Sequence, residues 1–419
     1  MLLAHLLRHL IRRGRLTVID SAGRSYVFGE LPGPISTIRL HSRTLERRMF
    51  FNPRMAVGEG YMDGSLTIEQ GDIYDFLSLV MGNITTAPRS MTMTPLYNGI
   101  DRWARWLQQH NPIGRAQQNV AHHYDLSATL YDLFLDADRQ YSCAYFEHPT
   151  DDLETAQANK KRHIAAKLLL KPGQKLLDIG SGWGGLGLYL AQEAGVDVTG
   201  LTLSTEQHKL SNERVAAVGL EDLVRFQIKD YRLDQGRYDR IVSVGMFEHV
   251  GVNHYGEYFN KIADLLTDDG VALVHAIGRQ EGPGTTNPWV RKYIFPGGYC
   301  PALSEVLPAI ERARLQVMDM EILRLHYAET LRHWRRRFAA NRDAIAALYD
   351  DRFCRMFEFY LAASEITFRR RGHMVWQLQL AHDHGVVPLT RDYIAEVEKG
   401  ERTGPVEEAA SPLRRLRTD

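Results

Sequence analysis

The chain has 419 residues, enough for two or three domains at roughly 150 residues each. Acidic and basic residues balance at 51 each, so the chain as a whole has no electrostatic field for drawing in nucleic acid. The three cysteines (Cys143, Cys300, Cys354) lie far apart with no CxxC pair, which excludes a disulfide framework and a cysteine-type metal site and points to a reducing cytosol.

The balance hides an asymmetry. Residues 1–55 hold ten arginines (Arg8, Arg12, Arg13, Arg15, Arg24, Arg39, Arg43, Arg47, Arg48, Arg54) against three acids (Asp20, Glu30, Glu46), a net +7. Such a stretch suits an anionic surface, and a solvated arginine-rich face is the plainer reading. Leu2, Leu3, Leu6, Leu7, Leu10 and Ile11 recur at helical spacing with Arg8, Arg12 and Arg13 off that stripe. A basic amphipathic helix of this kind lies in a membrane interface or packs on its own domain. It is no signal peptide, because His5, Arg8 and His9 interrupt it and no small-residue cleavage site follows. No run of about 18 apolar residues exists to span a bilayer. Strand-like pieces at 16–19 and 26–28 and a helical pattern at 73–80 complete a small α+β domain over 1–85.

Residues 86–117 mix Thr, Pro, Arg and Gly with Trp103 and Trp106 and read as a linker with a helix inside it. Over 118–385 the pattern becomes short apolar strands (175–179, 197–203, 224–228, 240–244, 271–276) alternating with helices (185–193, 206–218, 254–266). That alternation predicts an α/β fold, a doubly wound and mainly parallel sheet. The polar stretch 386–419, with Pro388, Pro405 and Pro412, is expected to pack loosely or not at all.

The most informative run is Asp178-Ile179-Gly180-Ser181-Gly182-Trp183-Gly184-Gly185, a strand entering a glycine-rich turn and then a helix. Gly180 and Gly182 let backbone approach a ligand. The acid stands before the first glycine at the strand end, where a methyltransferase would place it to handle the cationic amino-acid portion of its ligand, S-adenosylmethionine. A P-loop would need a GK[ST], which is absent. The second strand ends at Thr202-Leu203-Ser204 with Gln207 following. Thr202, Leu203 and Gln207 suit ribose or backbone contacts, and Ser204 with Gln207 equally suits a helix cap. Asp230 and Tyr231, after the third strand, offer an acid and a ring for adenine.

Together with His123-Tyr124-Asp125-Leu126-Ser127, Tyr141-Ser142-Cys143-Ala144-Tyr145-Phe146, Gly245-Met246-Phe247-Glu248-His249-Val250-Gly251 and Tyr293-Ile294-Phe295-Pro296-Gly297-Gly298, these residues resemble the cyclopropane-fatty-acid-phospholipid synthase family over about 118–380. Gly58-Glu59-Gly60-Tyr61-Met62-Asp63-Gly64 also resembles the N-terminal domain of its bacterial phospholipid-acting members, which the shorter mycolic-acid enzymes lack. The resemblance implies a class I methyltransferase-like fold with S-adenosylmethionine as methyl donor, Tyr141 and Ser142 joining its binding site. It implies that the cis double bond of a phospholipid acyl chain attacks the sulfonium methyl, and that a bound bicarbonate then removes a proton to close a cyclopropane ring. The positions matching the bicarbonate cage are Cys143, Glu248, His275 and Tyr327, with Ile277 beside them.

Each has an ordinary alternative. Cys143 is by default a small buried hydrophobe, His275 a satisfied core histidine and Glu248 a surface ion-pair partner. Tyr327 rests on the resemblance. Ser181 stands where many relatives carry Cys, and the turn needs only a small residue there. Ser364 falls where a cysteine once considered catalytic stands, and Cys354 is not its counterpart, which favours the bicarbonate route. Rivals are a sister enzyme giving a methyl- or methylene-branched chain and a lipid-binding protein with a dead catalytic domain. Nucleic-acid methylation would call for an Asn-Pro-Pro-Tyr-type motif, which is absent. The expected partner is a phospholipid surface, with the protein cytoplasmic at the inner face of the membrane. Oligomeric state is not legible, a homodimer being one option.

Overall fold

In the computed structural model, residues 2–86 and 127–400 are described. The expected linker, with Trp103 and Trp106, most of the His123–Ser127 motif and the tail beyond 400 lie outside them. The chain divides into two compact units. The described part of the first is residues 2–86, 284–296 and 328–373, and that of the second is 127–283, 297–327 and 374–400. The continuous 118–385 domain expected from sequence is therefore interrupted twice by segments that belong to the first unit.

The first unit carries the strands β1 (Arg13–Ile19), β2 (Ser25–Phe28), β3 (Glu30–Leu40) and β4 (Leu66–Gln70) in the order β2-β1-β3-β4. β1 pairs antiparallel with β2 and parallel with β3, and β3 pairs antiparallel with β4. Leu16, Val18, Ile38 and Leu40 form the inner face, where Phe76 and Leu77 of the Ile73–Thr86 helix meet Ala362 and Ile366 of the Asp351–Arg370 helix. The Leu2–Leu10 helix turns Leu3, Ala4 and Leu7 into this same core. Of the two readings open from sequence, packing on its own domain is observed for Leu3, Leu7 and Ile11, whose burial stabilises the helix there, while Leu6 of the same stripe stays 37% exposed.

The second unit is a seven-stranded sheet. Its strands are β5 (Lys175–Ile179), β6 (Asp197–Thr202), β7 (Val224–Ile228), β8 (Tyr238–Val244), β9 (Leu266–Arg279), β10 (Gln316–Ile322) and β11 (His373–Ala381), in the order β10-β11-β9-β8-β5-β6-β7. The ladders β5–β6, β6–β7, β5–β8 and β8–β9 are parallel, whereas β10–β11 is antiparallel. This is the class I methyltransferase-like, doubly wound and mainly parallel arrangement expected. After β5 the chain winds outward to β6 and β7, then returns to β8 on the other side of β5. The winding direction reverses there, so a crevice opens beyond the C-terminal ends of β5, β6 and β8.

One expectation fails. The segment after 386 packs as far as it is described: Tyr393 and Ile394 of the Asp392–Glu398 helix are buried with Val387, Leu169 and Val271. Gln379 Nε2 donates to the Tyr393 hydroxyl at 3.0 Å. The seven-residue helix, with Tyr393, Ile394 and Val397 among acidic residues, is too short for its period to be read from sequence as a docked helix.

Candidate active site

β5 delivers Asp178 to the crevice, and the glycine turn follows with positive φ at Gly180, Gly182 and Gly184 (85°, 55° and 81°). A Cβ at Gly180 would lie 2.9 Å from Met246 Cβ, and one at Gly184 2.8 Å from the Phe226 ring, so conformation and space both demand glycine at these two positions. The Gly180 and Ser181 N–H groups donate to Leu201 O at 3.0 and 2.9 Å, which pins the turn to the end of β6. The helix Gly185–Ala194 starts directly after it. Asp178 is buried, and its Oδ2 has no hydrogen-bond partner among the described residues. Burial pushes its carboxyl up to about 7 despite the opposing charge of Lys160. A buried carboxylate oxygen without a partner is costly unless a ligand completes it, and the cationic amino-acid end of S-adenosylmethionine fits that need.

The remaining cofactor candidates are present but differently engaged. Thr202 donates its hydroxyl to Gln207 Oε1 at 2.8 Å and accepts from Ser204 N–H at 3.1 Å, while Ser204 caps the Thr205–Val218 helix by accepting from Gln207 N–H. The capping alternative is thus what these side chains do, and half-buried Leu203 lies between them. Asp230 is engaged within its own loop: both its oxygens accept from Arg232, two residues on, at 2.9 and 2.7 Å. The Tyr231 ring packs edge-on to Tyr258 at 5.5 Å. Tyr141 packs edge-on to Tyr131 and Phe134 at 5.5 and 6.2 Å, and Ser142 Oγ accepts from Lys160 Nζ at 2.9 Å.

Met246, which faces Gly180 of this turn, leads two residues on to the second group, beginning with Glu248. Glu248, just beyond β8, is buried, and its Oε1 accepts from the Ile277 N–H at 2.6 Å. Its Oε2 has no partner among the described residues. Burial raises its carboxyl to about 7, against the lowering effect of the Ile277 bond. His275 lies on β9 in register with Val244 of β8, is buried, and is held neutral, its pKa lowered to about 3 by desolvation. Cys143 is buried and its thiol donates to Ala144 O at 3.3 Å. Tyr327 is buried near the start of the His326–Ala340 helix. His326 Nδ1 there accepts from Phe146 N–H at 3.0 Å, tying that start to the segment bearing Cys143.

Sequence reasoning missed the charge at the centre. Lys160, wholly buried in the Leu153–Leu168 helix, donates to Gln140 Oε1 at 2.5 Å and to Ser142 Oγ. Its field reaches Asp178, Cys143 and His275 together. Burial lowers its own pKa to about 8. Gln157, one turn earlier, donates to Gln140 O and Ser142 O, both at 3.1 Å. With His163 and Lys167 these residues form a buried polar stripe at spacings of three and four. That stripe was the available signal, obscured because Lys160-Lys161 looks like a solvated pair.

The raised Glu248 carboxyl has a signed consequence for stability. Between its ordinary 4.5 and about 7 the folded protein keeps a proton that the unfolded chain has released, so this contribution to stability falls as pH rises through that window. His249 and His275, held neutral with pKa values lowered to about 4 and about 3, act in the opposite sense. The difference between Glu248→Gln and wild type isolates the carboxyl. We expect urea denaturation to show that difference moving in the variant's favour from pH 4.5 to about 7 and levelling above. A flat difference across the window would contradict the assigned burial.

Residues 112–378 match the family model described as mycolic acid cyclopropane synthetase. The chain is 37% identical over 347 residues to the Escherichia coli K12 cyclopropane-fatty-acyl-phospholipid synthase, covering 81% of this chain and 86% of that one. It is 36% identical over 373 residues to a probable fatty acid methyltransferase of Pseudomonas putida, covering 86% and 92%. The crystal structure of mycolic acid cyclopropane synthase CmaA1 complexed with SAH and CTAB superposes with a TM-score of 0.60 at 33% identity, over 63% of this chain and 97% of that one. With the glycine turn, the buried acid before it and the sheet order all present, the chain belongs to the mycolic acid cyclopropane synthetase family of S-adenosylmethionine-dependent methyltransferases.

Proposed function

We propose that this methyltransferase acts on the cis double bond of phospholipid acyl chains and closes a cyclopropane ring. The observation that carries the reading is the pair of buried carboxyls, each with an oxygen that has no partner among the described residues: Asp178 where the donor's cation belongs, and Glu248 where a proton must be collected. The alkene π pair bonds to the sulfonium methyl carbon as the carbon–sulfur bond breaks, and the sulfide leaves with that electron pair. The resulting carbocation loses a proton from the added carbon, and the released C–H pair closes the ring. Bicarbonate, when bound, supplies the base for that proton. Cys143, His275 and Tyr327 would enclose it, Glu248 would orient it through its unpartnered Oε2, and Ile277 holds Glu248 in place through its N–H. Apolar walls keep water from the cation, which would otherwise be quenched as an alcohol. The E. coli relative's name supports the ring product. The P. putida relative's name favours a second reading, methylation of the same olefin to a branched chain.

Lipids from cells expressing the enzyme should gain the mass of one CH₂ per acyl chain and lose the double bond, as read by mass spectrometry with ozonolysis. Retention of an olefin in the added-mass species would defeat the ring. Glu248→Gln should lower turnover roughly 10²–10⁴-fold, the range for a proton-handling group, while S-adenosylmethionine affinity holds. Equal loss of both would make Glu248 structural.

We further infer peripheral association with an anionic bilayer, at the inner face of the cell membrane. No helix among the described residues is long and apolar enough to cross one. Arg43 and Arg47 are exposed on the Arg43–Phe51 helix, whose last residue, Phe51, is 67% exposed. Basic charge beside an exposed ring suits a headgroup layer. Arg43→Glu with Arg47→Glu should weaken cosedimentation with phosphatidylglycerol vesicles, and salt should weaken the wild type. Salt-indifferent binding would count against the electrostatic part.

A further inference from the structure

We propose that Gln377 and Lys167 are positioning residues that fix His275 as the Nε2–H tautomer. His275, on β9, and Gln377, on the neighbouring β11, are both buried, with Gln377 Nε2 3.1 Å from His275 Nδ1. Which end of the Gln377 amide faces the ring is decided on its other side. Lys167 Nζ lies 2.8 Å from Gln377 Oε1, is wholly buried, pairs with Glu321 and stands 3.6 Å from Asp319 Oδ2. An ammonium has only hydrogens to offer, so the amide oxygen must face it. A flipped amide would set its N–H groups against the ammonium. The amide nitrogen therefore donates to Nδ1, Nδ1 must be bare, and a neutral imidazole then carries its hydrogen on Nε2. The order of contacts runs from Glu321 through Lys167 and Gln377 to His275 without a free choice of direction at any link.

The consequence for the chemistry rests on the proposed anion site, whereas the tautomer does not. A neutral ring bearing Nε2–H can donate to an anion while keeping its own hydrogen. An imidazolium would bind the anion more strongly but would protonate it, removing the base. Neutrality is maintained by burial and by the nearby cations Lys160, Lys167 and His163, with Glu321 opposing them. Lys167 and Gln377 touch neither donor nor olefin in this account and act through the ring.

Long-range hydrogen–nitrogen correlation spectra of protein labelled with nitrogen-15 histidine test the assignment, with His275→Gln identifying the signal. We expect the intact enzyme to show His275 with hydrogen on Nε2 alone. Gln377→Glu places an acceptor beside Nδ1, so the ring should gain hydrogen there and turnover should fall roughly 10–100-fold, as for other groups that orient a site residue, with S-adenosylmethionine affinity unchanged. An Nδ1–H signal in wild type overturns the proposal, as does a Gln377→Glu enzyme that keeps both tautomer and turnover. If Gln377→Glu fails to fold, the wild-type spectrum alone still decides. Turnover indifferent to bicarbonate depletion, with Nε2–H present, would refute the bicarbonate reading and leave the tautomer standing.

Discussion

Two carboxyl groups removed from water, each with one oxygen that has no partner among the described residues, set the terms for the second unit. Asp178 lies near the end of β5 and Glu248 just beyond β8, the neighbouring strands of the reversal point. Neither has a direct ion pair among the described residues, and burial lifts both to about 7. Burying such groups costs several kcal/mol in an apolar setting, by order of magnitude, a cost tolerated where ligand binding and catalysis recover it. The apolar core beneath, with Leu177, Ile179, Ile241 and Phe247 buried, fixes the strand ends that hold them.

Lys160 makes this arrangement tolerable. One buried cation acts on Asp178, Cys143 and His275 at once while its hydrogens hold Gln140 and Ser142. The Leu153–Leu168 helix is thus the polar spine of the site as well as a cover for the sheet, against which Ile164 and Leu168 are buried. Its stripe continues through His163 and Lys167 to Glu321 and Glu398, so the docked C-terminal helix closes the same network.

The sequence made the cofactor turn legible because acid, glycine spacing and strand-to-helix context all constrain backbone geometry locally. The parallel strands were legible for the same reason: each is a short apolar run. β10 escaped because its residues are mostly half-buried without a clean alternation, and β11 because it is buried on both faces with Gln377 and Gln379 inside. The second unit's interruption at 284–296 and 328–373 was hidden because helical periodicity says which face is buried, not against what. Trp289, for example, meets Met62 and Phe359, far from it in sequence. The local bonds of Asp230, Thr202 and Gln207 were harder to read, because a side chain's nearest polar neighbour competes with any ligand. Their partners Arg232 and Ser204 lay two residues away or fewer, or three from Gln207.

The central claim is that Asp178 waits in the crevice as a buried carboxyl whose missing partner is the cationic end of the methyl donor. Calorimetry of S-adenosylhomocysteine binding in buffers of different ionisation enthalpy measures it directly. Below about pH 7 the acid must shed a proton to meet the cation, so binding should release protons at mildly acidic pH and cease to do so well above neutrality. Asp178→Asn should bind far more weakly and without that release. Binding that releases no proton at any pH, with Asp178→Asn as tight as wild type, would contradict the account.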